Sequence, residues 1–241
     1  MNRAAPNYAA LLFVTLAATA LLINRIPRPD KEPTVAITSP PLQPPPQKIP
    51  TFASPSQCVL QPGPRDGKDI WTTTVLPYTD RVQRGVGGGL HDGRLRVGGW
   101  GDWYYSLIQF DLALMPKSAK SATLCLYCYN ISGGGTPLFV DLITQPWDWQ
   151  TAGTGFDKER LWWKDRPGTE LWPPGTAFST PVQGQWYVLD ITSLYNAWQK
   201  GSVLNWGVQL RPYFNLNNNF DEFYSSNCED PKLRPKLVVE F

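Results

Sequence analysis

From residue 57 onward, apolar and polar side chains alternate in twos, in short runs that Gly, Pro, Asn or Asp bring to an end. A period of two puts successive side chains on opposite faces of an extended strand, so each run reads as a strand with one face buried. Residues 94–97 set Leu95 and Val97 against Arg94 and Arg96, and residues 106–111 set Leu107 and Gln109 against Ile108 and Phe110. Residues 122–129 set Leu124 and Leu126 against Thr123, Cys125 and Tyr127. Residues 138–143, 186–191, 206–211 and 233–241 continue the series. Short strands joined by turns predict an all-β fold, an antiparallel β-sandwich of the jelly-roll kind. Residues 193–199 break the pattern and read as one short helix, with Asp190, Thr192 or Ser193 to cap it and Gly201 to stop it.

The first part of the chain is different material. Residues 9–23, AALLFVTLAATALLI, carry no charge and follow Arg3 and the free amino terminus. The run is short for a spanning helix, which needs about 20 residues. Residues 1–26 therefore read either as a signal peptide, cleaved near Ala18-Thr19-Ala20, or as an uncleaved hydrophobic anchor helix with Asn24 and Arg25 at the interface. Both imply export, to the cell envelope, the cell surface or the medium, with membrane contact through this segment alone. Residues 27–56 hold ten prolines. Proline fixes φ and removes a donor, so this stretch predicts a disordered, extended spacer. Residues 57–241 then form one domain, large enough for a core that needs no staple.

The net charge of +2 is too small for an electrostatic grip on nucleic acid. The single histidine, His91, argues against His-rich metal sites. Cys125 and Cys128 resemble half of a CxxC site, but three positions along a strand they face opposite ways, beyond disulfide reach. Cys58 and Cys228 lie near the two ends of the domain, and a Cys58–Cys228 bond is one of three full pairings.

A series of landmarks runs in order through residues 81–241. Gly93-Arg94-Leu95-Arg96-Val97-Gly98-Gly99 comes first, then Ser106-Leu107-Ile108-Gln109-Phe110-Asp111-Leu112. Met115-Pro116 and Ser121-Ala122-Thr123-Leu124-Cys125-Leu126-Tyr127 follow, then Trp147, and Leu161-Trp162-Trp163-Lys164-Asp165-Arg166-Pro167. Trp186-Tyr187-Val188-Leu189-Asp190-Ile191-Thr192 with Trp198, Gly201, Asn205 and Gly207 is the most specific piece. Phe223-Tyr224-Ser225-Ser226 and Leu233-Arg234-Pro235-Lys236-Leu237 close it. The order resembles the DNRLRE domain, also described as carbohydrate-binding module family 96. The eponymous string is not present, its nearest fragment being Asp92-Gly93-Arg94-Leu95-Arg96, and Ser225-Ser226-Asn227 stands where the family has S-R-E; both departures weaken any transfer of ligand specificity. The resemblance implies a β-jelly roll on an exported protein and binding of polysaccharide, acidic polysaccharide among them. It covers no catalytic domain. It also implies structural roles for Trp147, Trp162, Trp163, Arg166 and Asp190.

Several residues carry chemistry suited to sugars. Trp100, Trp103, Tyr104 and Tyr105 form an aromatic cluster between glycines, and aromatic faces stack on sugar C–H surfaces. Arg94 and Arg96 share one strand face, where paired guanidinium groups suit uronate carboxylates. Trp149 is the remaining free aromatic. The competing expectation is that the aromatics close a sandwich end and the arginines form a solvated or internally paired face. Asp102, Asp221, Glu222, Glu229 and Asp230 lie in loop-like stretches that suit a structural calcium, although no D-x-D-x-D-G run is present. No other cofactor is implied.

The sequence thus reads as a non-catalytic carbohydrate-binding or surface-attachment module whose partners are polysaccharide or cell-surface glycan and an associated enzyme or surface protein. The alternative is a structural or adhesive module that contacts protein or matrix without sugar specificity. The third is a polysaccharide lyase using His91, Tyr104 or Tyr105, and Arg96.

Overall fold

Each of the seven segments read from alternation contains a strand in the computed structural model, which describes residues 50–54, 56–75, 93–148, 150–151, 159–172, 175, 177–214 and 218–241. The leader at 1–26, the spacer up to residue 49, His91, Asp92 and Trp149 lie outside the described residues. The elements run β1 (Thr51–Ser54), β2 (Gln57–Leu60), β3 (Lys68–Thr73), β4 (Arg94–Gly99), β5 (Tyr104–Gln109), β6 (Ser121–Ser132) and β7 (Leu138–Ile143). β8 (Gln150–Thr151), β9 (Glu159–Arg160), β10 (Thr169–Leu171), β11 (Gln185–Asp190), α1 (Thr192–Lys200), β12 (Val208–Pro212), β13 (Asn219–Tyr224) and β14 (Lys236–Glu240) complete the order. The protein is mostly antiparallel β-sheet with one α-helix among the described residues. That helix is too short and polar to cross a membrane.

Twelve strands form one hydrogen-bonded sheet that folds into two layers. The first layer runs β1-β2-β14-β6-β13-β4, with β11 on the other edge of β6; the second runs β3-β5-β12-β7-β10. The layers join where Gly98 pairs Tyr104. Strand parity decides what lies between them. Leu95, Leu124, Leu126, Phe223 and Leu237 of the first layer meet Ile108, Val140, Leu142, Val208 and Leu210 of the second in one buried cluster. Removing their apolar surface from water stabilises the sandwich by about 25 cal/mol per Å². A second cluster, Ile70, Leu107, Ile143, Trp147 and Leu161, covers the outside of the second layer, where the chain after β7 folds back. Trp147 Nε1 donates to the Trp206 carbonyl at 2.8 Å and Lys68 Nζ to the Trp147 carbonyl at 2.6 Å, fixing that segment.

The helix closes one end. Leu194 and Tyr195 are buried, and the Tyr195 hydroxyl donates to the Pro116 carbonyl. The N-cap position is Ile191, which makes no side-chain bond; Asp190, one residue earlier, accepts from the Thr192 N–H at 2.9 Å and its hydroxyl at 2.6 Å, satisfying the first N–H of the helix. Gly201 ends the helix at φ 70°.

Two expectations are corrected. The spacer does not extend to residue 56, because β1 pairs with β2 in the first layer. Pro50 precedes this strand, and its place at the sheet edge tolerates the missing donor. The Cys58–Cys228 bond is also absent, and all four cysteines are free and buried. The second and last strands, β2 and β14, do come together, with Cys58 opposite Val239. However, the Cys58 thiol turns into the core, 3.7 Å from Met115 Sδ. Cys228 lies in the turn after β13, its N–H donating to Ser225 O at 3.1 Å.

Candidate functional site

The outer face of the first layer gathers half-exposed aromatic rings and cations into a line. Register sets the line. Arg94 lies directly opposite Tyr224 across β4 and β13, and Trp186 directly opposite Tyr127 across β11 and β6. The rows join because the Tyr224 ring stacks on Tyr127, with centroids 6.1 Å apart and planes 16° from parallel. A bulge on β6 near residue 129 brings Tyr129 to the same ring, at 4.6 Å and 22°. Trp186 meets Tyr127 edge-on at 5.6 Å, and Lys236 Nζ lies 4.0 Å from the centre of the Trp186 ring. The tyrosine rings stand on the sheet face to face, so what they present outward is edges and hydroxyls.

Beside this line lies an ion pair. Arg96 Nε meets Glu222 Oε1 at 2.8 Å, and Asn130 Nδ2 donates to Glu222 Oε2 at 2.7 Å. The Arg96 guanidinium also rests over Trp71, 5.2 Å from the ring centre. Arg94 is exposed and hydrogen-bonds the Tyr129 hydroxyl. Burial, and then the Glu222 charge, push that hydroxyl up to about 12. Tyr129 therefore stays a neutral donor at any ordinary pH.

The arginines share a face as parity predicts, but they differ in surroundings: Arg96 is half-buried in an ion pair with Glu222, and Arg94 is exposed and hydrogen-bonds Tyr129. The aromatic cluster at 100–105 does not form one surface. Trp100 is 74% exposed on the turn after β4. Tyr104 and Tyr105, adjacent on β5, face opposite sides. Tyr104 packs against Trp71 at 5.6 Å and Phe220 at 5.0 Å. Tyr105 packs against Trp163 at 4.8 Å and Trp103 at 6.0 Å on the outside of the second layer. Of the lyase set, Tyr105 faces the side of β5 away from Arg96, Tyr104 lies within electrostatic reach of Arg96, and His91 lies outside the described residues. Arg166 lies over the Trp163 ring at 3.7 Å and the Tyr105 ring at 5.0 Å.

The carboxylates considered for calcium are dispersed. Asp102 accepts from the Trp100 N–H, Asp221 from Thr136 N–H at 3.1 Å, and Asp230 from Lys232 N–H at 2.9 Å. Among the described residues, no three metal-ligating side chains converge.

Sequence reasoning missed Tyr127, Tyr129, Tyr224 and Lys236 as partners. A usable signal was present in Tyr127-Cys128-Tyr129, where aromatics recur with the strand period on the polar side of β6. No protein-family model matches the chain, and no curated protein matches it.

Proposed function

We propose that the outer face of the first layer is a glycan-docking surface, and that the protein is a non-catalytic carbohydrate-binding or attachment module of the DNRLRE jelly-roll type, exported to the cell envelope or secreted. The observation that carries this is the line from Arg94 through Tyr224 and Tyr127 to Trp186. Tyrosine hydroxyls both donate and accept, which suits sugar hydroxyls, and their ring edges supply apolar contact. Arg94 and Lys236, toward either end of the line, supply positive charge for uronate carboxylates. The N-terminal segment serves as signal or anchor, and the proline-rich stretch as spacer.

A second reading has one feature in its favour. Leu171, Trp172, Val203, Leu204 and Trp206 line a cleft of about 510 Å³ on the second layer, with Leu171 and Leu204 largely exposed. An apolar cleft suits a protein partner better than a glycan.

The test screens the full chain against soluble acidic and neutral polysaccharides at two salt concentrations, with product release followed in the same wells. Binding without product, weakened by salt, is the expected result. Unsaturated product would replace it by the lyase reading, and no binding to any glycan would favour the protein-contact reading.

A further inference from the structure

β11 pairs with β6 along one side only, and the backbone on its other side is bare. Its register runs unbroken from Gln185 opposite Cys128 to Asp190 opposite Thr123. The next residue, Ile191, donates its N–H to the Ala122 carbonyl at 2.9 Å. Hydrogen-bonded pairs alternate along an antiparallel ladder, so Tyr187 and Leu189 also exchange their bonds with β6. The N–H and C=O groups of Trp186, Val188 and Asp190 therefore point away from it. Among the described residues, no hydrogen bond reaches these groups.

A row of bare donors and acceptors is a template for another strand, and proteins usually blunt such edges. β1, at the far edge of the same layer, follows that rule: it has four residues, Pro50 precedes it, and its register shifts between Phe52 and Ser54. β10, at the edge of the second layer, has three residues. β11 has six, with no proline, glycine or lysine among them and no shift in register. Its outer face adds apolar surface, Val188 being 54% exposed.

The edge is complementary to itself. Laid antiparallel about a two-fold axis at Val188, two copies of β11 match every bare donor with a bare acceptor: Val188 meets Val188 of the second copy, and Trp186 meets Asp190. An axis at Tyr187 or Leu189 would leave part of the row unmatched. The exposed valines touch on the axis. Beside it, the Asp190 carboxylate of the second copy arrives next to Trp186, over whose ring Lys236 Nζ stands at 4.0 Å. Opposite charges thus face each other across the seam, once on each side of the axis. We propose that β11 is a dimerisation edge, through which two copies of this chain pair Gln185–Asp190 with itself, centred on Val188, and continue the first layer as one sheet. Paired residues of an antiparallel ladder present their side chains on the same face. Both outer faces of the first layer therefore point the same way and stay uncovered, and the dimer forms with or without sugar.

The experiment is sedimentation equilibrium of the full chain over a range of concentrations, without polysaccharide and in mild detergent because of the apolar run at 9–23. The mass should double as concentration rises. Val188→Lys sets like charges against each other on the axis and should weaken association by about tenfold or more. Val188→Pro removes an N–H that β6 does not use and should weaken it likewise. Both should keep the circular dichroism of the parent, since neither breaks the ladder to β6. Lys236→Glu and Asp190→Lys should each weaken self-association. An equimolar mixture of the two should regain the dimer, because each introduced Glu then faces an introduced Lys and the remaining Lys236 faces the remaining Asp190. Amide exchange of Trp186 and Val188 should slow as the dimer forms. A parent that stays monomeric, a dimer indifferent to Val188→Lys, or a mixture that fails to reassociate would overturn the proposal. A monomeric parent that captures an extended peptide would also overturn it, giving the edge to a strand of another protein.

Discussion

The carboxylate of Asp69 takes the backbone N–H of Ser226 at 2.7 Å and the Ser226 hydroxyl at 2.9 Å, tying β3 to a turn that lies 157 residues further along the chain. The pair is wholly inside the protein, with Asp69 4% and Ser226 1% exposed. Burial outweighs both hydrogen bonds and raises the Asp69 carboxyl to about 6. A raised folded value favours the protonated form. The stabilisation is therefore complete below the unfolded value near 4 and is lost as pH rises through 6. Over that window the linkage amounts to about 3 kcal/mol. Asp69→Asn should flatten this part of the pH dependence, read as unfolding free energy in denaturant at pH 4.5 and 7.5. An unchanged slope would refute it.

Asp221 follows the same sign at higher pH. It is fully buried on the inner side of β13, and burial raises its carboxyl to about 7, against the Thr136 N–H that lowers it. Its Oδ1 and Asn219 Oδ1 are both buried without a partner. Two bare acceptors are costly, and a proton on Asp221 removes half of that cost. Asp221→Asn should gain stability relative to the parent as pH rises from 5 to 8, measured by thermal unfolding at matched ionic strength.

Arg94 and Arg96 should separate binding from stability. Arg94→Ala should lower acidic-polysaccharide affinity by about tenfold with Tm held within a few degrees, since it is exposed. Arg96→Ala should lower Tm instead, because Glu222, with a side chain 13% exposed, loses its ionic partner. A cost of about 1–3 kcal/mol fits a buried charge left with one hydrogen bond. Equal effects of the two changes on affinity and on Tm would contradict this division.

Gly207 should not tolerate a methyl group. It sits at φ 87°, and a Cβ there would lie 2.2 Å from the Ile108 carbonyl oxygen, where β12 enters alongside β5. Gly207→Ala should cost more than about 3 kcal/mol through strain and a forced backbone shift. Chemical denaturation measures it directly.

Thiol chemistry checks the cysteines. Denatured protein should give four reactive thiols without reductant, and native protein far fewer, since all four are buried. Burial raises each thiol above its ordinary value, Cys128 to about 12, which holds them as unreactive neutral thiols. Dithiothreitol should leave Tm unchanged. Fewer thiols, or a Tm that falls with reductant, would restore the disulfide.

Legibility in the sequence followed the side chains that obey water. Strands β4, β6 and β11 alternate in burial over most of their length, and their faces were readable. β13 was not, because it buries Asn219 and Asp221 and turns Phe220 and Tyr224 outward, which inverts the signal. β3 buries Asp69, Thr72 and Thr73 along with Ile70 and Trp71, so no alternation remains. The shared face of Arg94 and Arg96 follows from parity alone. The same parity, extended two residues back from Leu107, separates Tyr104 from Tyr105. The Tyr127–Tyr224 contact was beyond reach, since it depends on a pairing between strands 97 positions apart and on a bulge that shifts the register.

The edge strand that follows Pro50 has a mechanical consequence. β1 and β2 are antiparallel, and the chain reaches β1 at Thr51, the open end of the hairpin, where Thr51 faces Val59. Tension arriving along the preceding chain therefore loads the hairpin in peeling geometry, and its hydrogen bonds yield one rung after another rather than together. β14 behind it is held on both sides, by β2 and by β6, and closes the core with Leu237 and Val239. A tug would first draw out these few residues as a compliant fuse, lengthening the chain while the sandwich behind them kept its shape.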